Sequence, residues 1–224
     1  MGYYIDLEHI SIDKYQRYIE KSDLLPSRRI IKENLSERFT YFKNIGITNV
    51  LELQRTLKKN DKLTELAKIN CFSTDYLKIL LREINSIQPK PTKISEFKGI
   101  SQETIKTLEK HGFQNTFKLF DKIKTKNNRN ELAKITGISA EEILELTKLT
   151  DLSRIRWVGA TFARMLYDIG IDTVEKAANS NFTDLHLKIN QTNKEKKYFN
   201  GNIGLNDMKL FVIAAKEIPM EVEY

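Results

Sequence analysis

The sequence predicts an all-α fold, a tandem of related short-helix units divided into two lobes. Three observations carry this reading. The stretch "GITNVLELQRTLKKNDKLTELAKINCFSTDYLKIL", which begins at Gly46, returns as "GFQNTFKLFDKIKTKNNRNELAKITGISAEEILEL" at Gly112. The 66-residue offset holds without a gap as far as Leu80 and Leu146. Apolar residues recur at helical spacing. Only four prolines and nine glycines punctuate 224 residues, which leaves room for uninterrupted helices.

In chain order, residues 1–37 form an N-terminal helical segment and residues 38–88 a degenerate first unit. The linker Gln88-Pro89-Lys90-Pro91-Thr92 cannot continue a helix, because both prolines lack an amide donor and restrict the residue before them. It is the best internal boundary. Residues 93–150 form the second unit, and "LAKI" is identical in the two copies. Residues 151–218 form the third, opening its matching segment with "GIDTVEKAAN" at Gly170, 58 residues after Gly112. Ahead of it, Phe162, Ala163, Leu166 and Ile169 share one helical face, and Gly170 stands where a left-handed residue closes that helix. Asn49 and Thr173 are placed to cap the helices that follow them. The segment from Asn190 to Gly204, "NQTNKEKKYFNGNIG", has no period and reads as a loop. Leu205, Met208, Phe211, Val212 and Ala215 then make a last amphipathic helix.

Composition narrows the function classes. No apolar run approaches the roughly 18 residues a membrane helix needs, and the start "MGYYIDLEHIS" lacks the pattern of a signal peptide. A single cysteine, Cys71, excludes an internal disulfide framework, and the reducing cytoplasm is the expected setting. The net charge of +7 divides into +4 over residues 1–92, +3 over 93–150 and zero over 151–224. A basic balance favours phosphate-bearing partners, although scattered lysines also solvate helical faces. His9, His111 and His186 have no ligand spacing, and no phosphate loop, nucleophile elbow or paired-carboxylate motif stands out. Neither a metal, a cofactor nor an enzymatic activity is expected.

The most patterned stretch is "DLSRIRWVGATFARMLYDIGIDTVEKAAN", residues 151–179. Leu152, Ile155 and Val158 line a short helix, Gly159 makes the turn, and Ala163 and Leu166 line a second helix. The small residues at 159 and 163 suit a close approach of the two backbones. This resembles the helix-hairpin-helix unit of DNA repair proteins and of the C-terminal domain of the bacterial RNA polymerase alpha subunit. Over residues 38–218 the chain resembles a bacterial family of tandem helix-hairpin-helix proteins.

The resemblance implies a hairpin with two glycines, whose amides at a helix N-terminus hold a DNA phosphate without reading sequence. This chain departs from that pattern in each copy. The third unit has Trp157-Val158-Gly159, the second Gly99-Ile100-Ser101, and the first Glu33-Asn34-Leu35, where the acid opposes an anion. The candidate nucleic-acid residues are therefore Gly99, Ser101 and Gly159 at the turns, Lys98, Arg154 and Arg156 beside them, and Lys194, Lys196 and Lys197 next to Tyr198 and Phe199. For that last cluster the competing reading is a solvated loop whose aromatics fold onto the core. Trp157, the only tryptophan, is expected to point inward, as large apolar residues usually do. Two functions remain open: sequence-nonspecific binding of a DNA or RNA backbone without catalysis, or a protein-interaction scaffold that keeps the architecture without a phosphate site.

Overall fold

A computed structural model describes residues 2–224; Met1, the first residue of the expected N-terminal segment, lies outside the described residues. The described chain is all-α, with thirteen α-helices, two 3-10 helices and no strand. It divides into two compact units. One is Asp6–Gln88, and the other comprises the residues up to Ile5 with Pro89–Tyr224.

The first compact unit holds α1 (Ile12–Lys21), a 3-10 helix (Pro26–Lys32), α2 (Leu35–Asn44), α3 (Val50–Lys58), α4 (Asn60–Leu66) and α5 (Thr74–Ile87). Ile12, Tyr15 and Ile19 bury one face of α1, while Val50, Leu53 and Leu57 do the same for α3. Both triplets follow the i, i+3/i+4, i+7 spacing that brings side chains to one face.

The second compact unit begins with a 3-10 helix (Ile94–Glu96) and continues with α6 (Gln102–Lys110), α7 (Thr116–Phe120), α8 (Lys126–Thr136) and α9 (Ala140–Leu152). It ends with α10 (Ala160–Asp168), α11 (Val174–Ala178), α12 (Phe182–Lys196) and α13 (Leu205–Glu217). One buried apolar cluster runs through it, from Ile94 and Phe97 through Leu149, Leu152 and Ile155 to Phe211 and Ile218.

The same helix ending occurs after α2, α6 and α10. Gly46, Gly112 and Gly170 take φ of 85°, 88° and 83°. In each case the next residue donates its amide back across the turn, Ile47 to Phe42, Phe113 to Leu108 and Ile171 to Leu166. This is the Schellman closure, and glycine alone enters its left-handed position without steric cost. Three residues beyond each glycine, the side chain of Asn49, Asn115 or Thr173 accepts the amide of the third residue of the following helix. The expected closing glycine and both expected caps stand as read.

The expected loop at 190–204 is corrected. α12 runs on to Lys196, and only residues 197–204 connect it to α13. Its last turns show no apolar period because their inward positions are asparagines. Asn190 pairs both ways with the backbone of Ile203, donating to its carbonyl and accepting its amide at 2.9 Å each. Asn193 donates to Phe199 and Gly201 carbonyls and accepts the Phe199 amide. Polar side chains here do the work that apolar contacts do elsewhere.

Candidate nucleic-acid interface

The second and third turns share one backbone course. Gly99 has φ 90° and Trp157 has φ 67°, each followed two residues later by the extended residue that opens a helix, Ser101 before α6 and Gly159 before α10. The first turn differs: Asn34 is left-handed at φ 47° and itself opens α2, so the two roles fall on one residue.

The two helix starts differ in chemistry. At α6 the Ser101 hydroxyl accepts the Thr104 amide at 3.0 Å and donates to the Thr104 hydroxyl, which in turn donates to Glu142. Glu103 adds a carboxylate to the first turn. Ser101 is thus an N-cap, and two acids oppose an anion at this end. At α10 no side chain caps the helix, and its first turn carries no acid. Gly159 is exposed, and a Cβ built on it would meet nothing within 4 Å. The expected close backbone approach at 159 is therefore corrected: Gly159 borders open space with an extended backbone, φ −93° and ψ −178°.

Both arginines expected to flank the third turn as phosphate ligands are interior, each 1% exposed. Arg154 Nη1 donates to Asp151 at 2.5 Å, Nε to the Tyr3 carbonyl at 3.1 Å and Nη2 to the Pro219 carbonyl at 3.0 Å. Its guanidinium also lies 4.5 Å from the centre of the Phe120 ring. Burial pushes the Asp151 carboxyl above its ordinary value, against the charge and hydrogen bond of Arg154. Arg156 stacks on Trp157, 4.8 Å from guanidinium carbon to ring centre. Trp157 in turn is 43% exposed, which corrects the expectation that it packs inward. The side chains alternate around this turn, and the left-handed residue sends its ring outward while Arg156 and Val158 are buried.

Around the second turn the structure brings together Lys98, Gly99 and Lys196 with residues the sequence reading missed. Arg164 of α10 lies over Gly99, its Nη2 3.0 Å from where a Cβ would stand. It pairs with Glu145 and, at 3.4 Å, with Asp168. Asp168 also holds Lys196 at 2.8 Å and accepts the Tyr198 hydroxyl. Lys98 sits 5.7 Å from the centre of the Tyr198 ring. Burial alone would raise the Asp168 carboxyl, but the hydrogen bonds from Lys196 and Tyr198 outweigh it and hold it below its ordinary value. The i, i+4 spacing of Arg164 and Asp168 was the readable signal for this network. Lys194 and Lys196 occupy the last turn of α12, where cations suit the helix dipole, and left-handed Lys197 ends it. Tyr198 and Phe199 pack against the core, as the competing reading of that segment has it.

Asp172 forms a separate pH-dependent cluster. Lys148 holds it at 2.5 Å and Lys176 at 2.6 Å. Burial raises its carboxyl, but the bonds and charges of both lysines prevail and place it below its ordinary 3.8. The depressed value means that the stabilisation is complete above pH 3.8 and fades as pH falls through the folded value. Asp172→Asn is expected to lower the unfolding free energy by about 1 kcal/mol at pH 7. In urea titrations the gap from wild type should close as pH drops below 3.8, and a gap that stays constant with pH would sink this assignment.

Among the described residues, no group of three or more His, Cys, Asp or Glu side chains is placed to hold a metal ion, and no helix is long and apolar enough to cross a membrane. Neither the curated proteins nor the solved structures contain a match to the chain. The family model described as "Domain of unknown function (DUF4332)" matches residues 98–218, more than half of the 224 residues, and the chain belongs to that family.

Proposed function

We propose that the chain is a non-catalytic protein that binds the backbone of nucleic acids without regard to sequence, built of helix-hairpin-helix-like units of which the third carries the phosphate-facing turn. The observation that carries this reading is the start of α10, uncapped by any side chain and free of acids in its first turn, behind an exposed glycine. The first amides of a helix have no partner inside it, and the helix dipole favours negative charge there. The shared left-handed position of Gly99 and Trp157, and the shared closure at Gly46, Gly112 and Gly170, support the unit-by-unit reading.

The test uses the full chain with two unrelated 20-base-pair duplexes over a series of salt concentrations. Equal affinities that fall together with salt are expected. Thr161→Glu puts an acid into the first turn of α10, where it favours the helix but repels a phosphate. It should weaken both duplexes roughly tenfold while leaving the fold intact. No binding at low salt, or a Thr161→Glu variant that binds like wild type, would reject the reading.

A second reading, a protein-interaction scaffold without phosphate binding, is favoured by one fact: Arg154, Arg156 and Arg164 are all buried. It keeps the architecture and turns the exposed Trp157 towards a protein surface. Trp157 emission that responds to a protein partner while DNA is inert would favour it.

A further inference from the structure

We infer that Trp157 is a stacking platform for an unpaired nucleobase, so that the third turn takes single-stranded or frayed nucleic acid in preference to continuous duplex. This rests on the nucleic-acid reading above and specifies the class of ligand. Among the described residues only Asn34, Trp157 and Lys197 have positive φ without being glycine. Asparagine tolerates that conformation, but for a bulky aromatic it is an outlier that the surroundings must hold in place. The matching position of the second unit is Gly99, the residue the backbone prefers. Core packing does not account for the exchange, because the indole is 43% exposed.

What the indole does have is a floor. The Arg156 guanidinium lies 4.8 Å from the ring centre and is itself almost wholly buried, which ties the ring to the interior. An ordered indole that reaches solvent suits a flat π-face, and every base offers one whatever its identity. Inside a duplex both faces of a base are already stacked on neighbours. A single strand, or a frayed end, presents the face that the ring can take. Two residues further on, α10 begins without acid or cap, the charge complement for the phosphate of the same nucleotide.

The experiment titrates the full chain at low salt with a 12-nucleotide thymidine strand, a 12-base-pair duplex and a 12-nucleotide abasic strand, following Trp157 emission and anisotropy of the labelled strand. The thymidine strand should bind about tenfold tighter than either control and alone quench the indole. Trp157→Asn keeps a residue that accepts the left-handed backbone and removes the ring. It should lose that tenfold on the thymidine strand and leave the duplex unchanged, while Trp157→Phe should keep part of the advantage. Circular dichroism melts check that the variants fold, and the abasic comparison on the wild-type chain decides the matter even if they do not. Thymidine and abasic strands of equal affinity would overturn the platform while leaving backbone binding standing. Inert nucleic acids of all three kinds would overturn both.

Discussion

Replacing Arg154 by alanine is expected to lower the unfolding free energy by about 3–5 kcal/mol, the cost of leaving a buried charge without its partner. Asp151 is nearly as buried as Arg154 and would keep only the Tyr224 hydroxyl, at 2.9 Å, among its side-chain partners. The Tyr3 and Pro219 carbonyls would lose their guanidinium donors, and the Phe120 ring would lose the cation above it. Lysine cannot restore this, because a point charge has no fork to reach three acceptors at once. Arg154→Lys should recover only a minor part. The double replacement Asp151→Leu with Arg154→Met should recover part of the loss, since an apolar pair needs no partner while the Tyr3 and Pro219 carbonyls still lack the guanidinium. Urea unfolding reads all three. A single-variant loss below about 1 kcal/mol would mean that the pair behaves as a solvated surface bridge.

That result would also explain why the arginines beside the third turn cannot be read from the sequence. Beyond its i, i+3 partner Asp151, what holds Arg154 inside is a pair of carbonyls 151 and 65 residues away, and no local pattern announces those. The closing glycines were legible for the opposite reason. A left-handed φ at Gly170, and a cap three residues later at Thr173, are demands of the local backbone that only a few residue types meet. The end of α12 fell between these cases. Its spacing rule looks for apolar residues, whereas Asn190 and Asn193 bury amides that hold the connecting segment. Trp157 misled for a third reason. Residue size argues for burial on average, but here the turn's backbone decides the direction, taking at Trp157 the left-handed course that Gly99 takes ahead of α6. The fold class was therefore open to sequence reasoning, whereas the electrostatic surroundings of the candidate residues depended on distant contacts.

The two turn glycines should respond in opposite senses to substitution. Gly99→Ala is expected to destabilise the chain by about 1–3 kcal/mol, the usual cost of holding an ordinary residue in a glycine conformation at an over-determined site. At φ 90° any Cβ is strained, and this one would stand 3.0 Å from Arg164 Nη2 and 3.3 Å from its Cζ. A guanidinium at the end of a flexible chain often moves aside at little cost. Here it is held by Glu145 and Asp168 and lies 5.0 Å from the centre of the Tyr167 ring, so moving aside means breaking those contacts. Gly159→Ser meets neither obstacle. Its backbone is extended, the space around it is open, and a serine there would supply the cap that Ser101 gives α6. It should gain a few tenths of a kcal/mol. The same hydroxyl would occupy an amide that the proposed phosphate needs, so the stabilised variant should bind nucleic acid more weakly than wild type. Urea midpoints and duplex titrations measured on the same preparations separate the two effects. Equal shifts for both glycines would mean that the left-handed demand is not concentrated at Gly99. A Gly159→Ser variant that is more stable and binds unchanged would take the phosphate away from the start of α10.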